Sequence, residues 1–542
     1  MKLGKDRDLR LKRRRAARAD PEVDRLVAEA AQRQAAGAVS EARRLAEAAL
    51  ARRPEYPAAL NALGLALGAL GELSAAAERL TEASALAPSV AAFHANRARA
   101  LRNLLRARDA VAPAREAVRL EPSNSVYQND LAAALLEAGQ GESAVAPARE
   151  AIRLDPSLVE GWRNLANALA RAGTPAEAEA TYRHVIAMAP GWADPWGGLA
   201  RLYLLNDRED DAMAAYRRAL ELRRPTRWWP VPGASVPRPP RPALANTVKL
   251  RHDIEQLRYL AEHGRLPAGA EALIPSYEKV LAQFAARHGR DPDAALTWDQ
   301  WEAIGDAFNR VLVWEPPPRV AGSALGSFDR AAAERQYAVD PGICWVDDFL
   351  SAEALAAIRR FCLDATIWSD IAHNFQGATV ARAYLGSYLH DGFVAPLLLQ
   401  VQRELKEALP SIFRGRPLGH MWAYKYEAEL QGIGIHGDDA AVNVNFWITP
   451  DEANLDPEGG GLLVYPAEAP ADWSFDEINL DADRMWRFVL DRGVEPINVP
   501  YRQNRAVIFN SDLFHATAPL RFKPGYENRR INITMLFGNR RG

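Results

Sequence analysis

Gly434-Ile435-His436-Gly437-Asp438-Asp439 is the stretch on which the reading of this 542-residue chain turns. Its flanks, Ile433 and Ile435 before and Val442, Val444, Phe446 and Trp447 after, have the β-branched and aromatic character of buried strand. In a strand, residues i and i+2 project to the same face. His436 and Asp438 therefore present one nitrogen and one oxygen to one point, and the same alternation selects Asp438 over Asp439. One further histidine would complete a facial set of two imidazoles and a carboxylate around a metal ion. An H-x-D pair alone is a weak signal, so the remaining parts have to come from elsewhere in the chain.

They follow in order. Residues 506–519 (AVIFNSDLFHATAP) read as a buried strand, a turn, and His515 entering another strand. Residues 530–535 alternate, with Arg530, Asn532 and Thr534 on one face and Ile531, Ile533 and Met535 on the other. An arginine on an inward polar face needs an anion, and a planar guanidinium can take a carboxylate through two hydrogen bonds. Arg529 points the other way. Tyr424 and Tyr426 share one face of the segment before H-x-D, and spacing does not choose between them. Strands are expected over 343–349, 421–426, 432–436, 442–448, 461–465, 497–499, 505–509 and 530–537, with helices running from Ser351 to about 362 and over 394–409. Short strands separated by turn signals suggest a β-barrel or double sheet of jelly-roll type.

The ordered set His436, Asp438, His515 and Arg530 resembles the 2-oxoglutarate/Fe(II)-dependent oxygenases, over residues 337–542. The "short strand, D-D-F-L-S, helix" opening at 343–362 resembles the start of many such domains. Glu458-Gly459-Gly460-Gly461-Leu462-Leu463 resembles the GGxL segment of prolyl-hydroxylase-like members. The resemblance implies a double-stranded β-helix (jelly-roll) domain in which His436, Asp438 and His515 hold Fe(II). It implies 2-oxoglutarate and O2 as cosubstrates, with Arg530 on the distal carboxylate and Asn532, Tyr424 or Tyr426 beside the cosubstrate. The implied reaction is oxidative decarboxylation to succinate and CO2 coupled to hydroxylation of a substrate C–H bond. His373, His390 and His420 have no matching context; His373 and Asn374 are candidates for a substrate mouth or for the surface.

The N-terminal half is repetitive. Pro54, Pro88, Pro122, Pro156 and Pro190 stand 34 residues apart. In units that begin at Val23, position 8 is Ala30, Gly64, Ala98, Ala132, Ala166 and Ala200; position 20 is Ala42, Ala76, Ala110, Ala144, Ala178 and Ala212. Small residues at fixed places let paired helices pack closely, and each proline ends the second helix. The pattern resembles the tetratricopeptide repeat, six units over 23–226, the last with its proline one residue late at Pro225. What the resemblance implies is an α-helical superhelix with a groove for a peptide or protein partner. Asn61, Asn96, Asn129, Asp130 and Asn164 recur near one place on the first helix of their units. They either form an amide ladder for an extended peptide or solvate the concave face.

The remaining segments are connections. Residues 1–22 are strongly basic, an arm for an acidic partner or a solvated tail, and have no apolar core of a secretory signal. Residues 227–243 form a proline-rich linker, in which Trp228 and Trp229 are expected to cap the last repeat. Residues 244–336 form a connector of three helices in which His252, His263 and His288 are read as packing or surface residues. The architecture as a whole is multidomain α + β. A net charge of −2 gives no general drive towards nucleic acid or membrane, and no apolar run is long enough to span a bilayer. Two cysteines without zinc-like spacing suit a reducing, cytoplasmic setting. The expected activity is hydroxylation of a side chain in a polypeptide recruited by the repeats. Rival readings are an oxygenase for a small metabolite with the array used for assembly, and an inactive barrel in a protein-binding scaffold. A nucleic-acid demethylase has only the basic tail in its favour. Composition is silent on oligomeric state.

Overall fold

The computed structural model describes residues 20–226, 228, 242–289, 293–371, 384–471, 473, 475–479 and 481–540. Most of the basic tail and of the proline-rich linker, together with Trp229, His373 and Asn374, lie outside the described residues. Contacts divide the chain into two compact units, residues 1–190 and 191–542.

Among the described residues, the first unit is five helix pairs. Each second helix stops two residues before its proline, at Arg52, Leu86, Leu120, Leu154 and Met188, because proline has no N–H to continue the ladder and disfavours helical geometry in the residue before it. The small residues of positions 8 and 20 are all buried: Ala98, Ala132 and Ala166, like Ala110, Ala144 and Ala178, have no exposed surface. The asparagines resolve differently from a free ladder. Asn96 donates to Asn61 at 2.9 Å and Asn164 to Asn129 at 2.8 Å, while Asp130 accepts from Arg99 at 2.9 Å. These groups join the first helices of adjacent repeats to each other.

The second unit opens with a sixth helix pair, Ala193–Leu205 and Glu209–Arg223. This pair is tied to the β-rich part of the same unit by a buried ion pair of Arg224 with Asp391 at 2.6 Å, and by Glu209 and Asp210 with Arg319. The three expected connector helices are Thr247–Glu262, Leu273–His288 and Trp298–Ile304, and a fourth, Arg330–Tyr337, lies at the end of the connector. The first of them is largely buried, and its Gln256 donates to the Leu363 and Ala365 carbonyls at 3.1 and 3.0 Å.

Among the described residues, eleven strands build two antiparallel sheets: β1 (Ile343–Val346), β2 (Asp370–Ile371), β3 (Tyr384–Tyr388), β4 (Leu418–Tyr426), β5 (Ile433–His436), β6 (Val442–Trp447), β7 (Leu462–Glu468), β8 (Ile497–Val499), β9 (Ala506–Asn510), β10 (Leu513–Thr517) and β11 (Ile531–Phe537). The larger sheet runs β1-β9-β6-β11-β4-β3-β2 and the smaller β8-β7-β10-β5. Their inner faces share one core, in which Leu462, Val464 and Leu513 of the smaller sheet meet Tyr426, Trp447 and Phe509 of the larger. The stretch 467–492, for which the sequence suggests no helix or strand, contains the helices Phe475–Asn479 and Ala482–Arg492. Ile478, Met485 and Val489 pack there on the outer face of the smaller sheet against Ile435, Tyr465 and Phe514. Strands β2 and β3 were not expected either. Both cysteines are buried and unpaired; burial pushes the thiols of Cys344 and Cys362 up to about 12. Among the described residues no helix is long and apolar enough to cross a membrane.

Candidate metal centre and anion pocket

His515 on β10 is the direct cross-strand partner of His436 on β5. Opposed residues on one sheet face have neighbouring side chains, and the two imidazole centroids are 4.3 Å apart. Asp438 lies two residues past His436, just beyond the end of β5, and its Oδ2 is 3.4 Å from His515 Nε2. One ligand atom from each of His436, Asp438 and His515 falls within 4.8 Å of the others, an arrangement able to hold a metal ion. The ring orientations follow from the partners: His436 Nδ1 faces the Gly434 carbonyl at 2.9 Å and His515 Nδ1 faces the Leu513 carbonyl at 3.3 Å. A carbonyl only accepts, so His436 Nδ1 carries the hydrogen and its Nε2 keeps its lone pair, while His515 Nε2 faces the Asp438 carboxylate.

The electrostatics agree with a cation site. Burial and the neighbouring His515 push His436 down to about 4, so its imidazole is neutral near pH 7. Burial pushes the Asp438 carboxyl up, but the hydrogen bond and charge of His515, with His436 and Asn443, outweigh it and hold the group below its usual value. The turn between the ligands is fixed on both sides. Gly437 N–H donates to the Ile478 carbonyl at 2.6 Å, and Asn479 Nδ2 donates to the Gly437 carbonyl at 3.1 Å. The helices missed from sequence therefore hold the peptide between His436 and Asp438.

Arg530 lies immediately before β11, is 1% exposed, and points into the core. Its guanidinium carbon is 4.7 Å from the Tyr426 ring centroid, 5.6 Å from Trp447 and 6.0 Å from Tyr501. Nε donates to the Gly460 carbonyl at 2.6 Å, whereas Nη1 is buried with no hydrogen-bond partner. No carboxylate among the described residues is close enough to pair with it. Burial works against its charge, and a buried cation without a counter-ion is costly; an anion entering this cage would meet both needs. Arg529 faces the other way and donates to Glu255 at 2.8 Å.

The two tyrosines separate here. Tyr426 lies against Arg530, whereas the Tyr424 hydroxyl pairs with Tyr388 at 3.1 Å, which in turn donates to Asp370. Asn532 is not a free donor for a bound anion: both hydrogens of its amide are committed, to Asn445 at 2.9 Å and Thr534 at 3.0 Å. Trp447 and Tyr501 were not singled out from sequence. Trp447 carried a signal, as the last residue of a buried strand whose alternation continues from Asn443 and Asn445. His390 and His420 stand away from the ligand cluster, and His252 is fully buried against Asp253.

The glycines of 459–461 shape the cage. Gly460, at φ +73°, turns its carbonyl to Arg530, and a Cβ on Gly461 would lie 1.9 Å from the Val499 carbonyl oxygen. Gly461→Ala is therefore expected to lower the melting temperature of the second unit, consistent with an overpacking cost of about 1–3 kcal/mol. Gly197→Ala in the same unit, where a Cβ meets nothing within 4 Å, should not lower it. Equal melting curves for the two variants in differential scanning calorimetry would refute this role for the turn.

The model of the tetratricopeptide repeat family matches residues 169–231, and that of the bacterial transcriptional activator domain matches residues 111–190. No curated protein matches the chain. Among solved structures it is similar to YrrB, a TPR protein with an unusual peptide-binding site, at 19% identity over 33% of this chain and 92% of that one, TM-score 0.29. It is similar to a tetratricopeptide repeat protein from Parabacteroides merdae ATCC 43184 at 18% identity over 38% and 82%, TM-score 0.34. It is also similar to PilW, a widely conserved type IV pilus biogenesis factor, at 17% identity over 38% and 94%, TM-score 0.34. The helix pairs and the family match together show that the N-terminal region of this chain carries tetratricopeptide repeats.

Proposed function

We propose that the β-rich unit is a double-stranded β-helix oxygenase that uses Fe(II) and 2-oxoglutarate to hydroxylate a side chain of a polypeptide recruited by the repeats. One observation carries the reading: between the two sheets lie a cluster of two imidazoles and a carboxylate and a buried arginine whose Nη1 has no partner. A dicarboxylic 2-oxo acid has one end for each. When bound, Fe(II) and 2-oxoglutarate together supply the oxidising chemistry, in which O2 is consumed, succinate and CO2 form, and one oxygen atom enters a substrate C–H bond. The protein's part is binding, orientation and exclusion of water. His436, Asp438 and His515 would hold the metal. Arg530 would take the distal carboxylate, and the rings of Tyr426, Trp447 and Tyr501 would keep that ion pair dry, where it is strongest. The repeats supply a surface for a protein partner, and the sixth helix pair is part of the same compact unit as the sheets.

The test is succinate formation by anaerobically purified protein given Fe(II), 2-oxoglutarate and O2, with and without a peptide fraction from cell extract. Turnover stimulated by peptide, and lost in a chain that begins at Gly191, is the expected result. Stimulation by a small-molecule fraction that survives this truncation would move the substrate class to metabolites. No turnover under any condition would overturn the enzyme reading.

A further inference from the structure

The ligand carboxylate is the end of a line of buried side-chain amides. Asn443 Nδ2 donates to Asp438 Oδ2 at 2.6 Å, and Asn445 Nδ2 donates to Asn443 Oδ1 at 2.6 Å. Asn445 Oδ1 then accepts from Asn532 Nδ2 at 2.9 Å and from Thr534 Oγ1 at 2.7 Å. All five groups are buried, Asn443 completely.

Strand geometry explains the line. Asn443 and Asn445 are two apart on β6, so both face inwards, and Asn532 and Thr534 do the same on the adjacent β11. Register sets Thr534 directly opposite Asn445. The chemistry also fixes the sense of every bond. An ionised carboxylate only accepts, so Asn443 must turn its NH2 to Asp438; its carbonyl must then accept from Asn445, whose own carbonyl must accept from Asn532 and Thr534. Every donor points towards the carboxylate. A chain of one sense polarises cooperatively in a low-dielectric interior.

An apolar residue at 443 or 445 would satisfy burial more simply than an amide, since buried polar groups cost free energy unless all their bonds are made. We propose that Asn443 and Asn445, with Asn532 and Thr534 behind them, are positioning residues that set the orientation and donor strength of the Asp438 carboxylate as a metal ligand. This rests on the proposed function only in requiring that the cluster binds a divalent metal. Outer-shell partners of metal ligands typically contribute about 10–100-fold in affinity. Asn532, two residues from Arg530 on the same face, makes the line reach from the metal cluster to the strand that begins at the anion pocket.

The experiment is a titration of the full chain with Co(II), followed by visible absorption and by calorimetry, with thermal melting as the check on folding. Asn443→Ala should weaken Co(II) binding by about tenfold or more and alter the shape of the d–d absorption; Asn445→Ala should do so to a smaller extent. The decisive readout is coupling. Asn532→Ala should weaken Co(II) binding in the wild-type chain and have no further effect once Asn443 is alanine, because the line is already cut. Should Asn443→Ala not fold, Asn445→Ala takes its place in the cycle. Wild-type affinity and spectrum in folded Asn443→Ala, or effects of Asn532 and Asn443 that simply add, would overturn the proposal while leaving the metal reading intact. A wild-type chain that binds no Co(II) would end both.

Discussion

His436→Ala is expected to abolish tight Fe(II) binding and to lower succinate formation by about 100-fold or more, since losing a direct ligand exceeds the 10–100-fold typical of its outer-shell partners. Folding should survive. His436 is neutral and makes one backbone hydrogen bond, so removing its ring leaves no buried charge behind. Asp438→Ala is expected to be as damaging to metal binding and harsher on stability. It strips the acceptor from Asn443 Nδ2 in a fully buried position, and an unmade buried hydrogen bond costs about 1–3 kcal/mol. Anaerobic dialysis against Fe(II), paired with calorimetric melting, separates the two variants. If His436→Ala retains Fe(II) with wild-type affinity, the ligand assignment is wrong.

Arg530→Met is expected to have effects of opposite sign on the free protein and on the protein with 2-oxoglutarate. In the free chain, Arg530 is a buried cation without a carboxylate partner. Replacing a buried charge by an apolar side chain of similar volume is often neutral or stabilising, by about 1–4 kcal/mol. The melting temperature without ligand should therefore hold or rise, even though the bond to the Gly460 carbonyl is lost. Affinity for 2-oxoglutarate should fall by about 2 kcal/mol or more, ~30-fold, because a desolvated charge-assisted pair is removed. The rise in melting temperature that the ligand induces in the wild type should disappear with it. A variant less stable without ligand, yet equally responsive to 2-oxoglutarate, would show that Arg530 is a packing residue.

The parts of this arrangement visible in sequence are those set by strand alternation. A period of two placed His436 with Asp438, separated Arg530 from Arg529, and put Asn532 on the inward face. It could not choose between Tyr424 and Tyr426, which differ by one full period; register with Arg530 and Tyr388 separates them. The repeat was legible because one constraint, close packing of helix pairs, recurs every 34 residues. The asparagines on its first helices could not be assigned the same way. Whether an amide faces a ligand or a neighbouring repeat depends on contacts 35 residues apart. The helices Phe475–Asn479 and Ala482–Arg492 were missed because they are short and take their stability from the smaller sheet beneath them. Asn443 and Asn445 did carry a signal. Polar residues at i and i+2 within a buried strand, V-N-V-N-F-W, demand partners on one face.

The space between the two sheets is proposed to bind a metal at His436, Asp438 and His515 and a dicarboxylate at Arg530. Anaerobic equilibrium dialysis of the full chain with Fe(II) and labelled 2-oxoglutarate tests both halves together. The predicted result is one Fe(II) and one 2-oxoglutarate per chain, with retention of 2-oxoglutarate reduced by omitting Fe(II), by His436→Ala and by Arg530→Met. Retention of neither, or retention of 2-oxoglutarate indifferent to both substitutions, would contradict it.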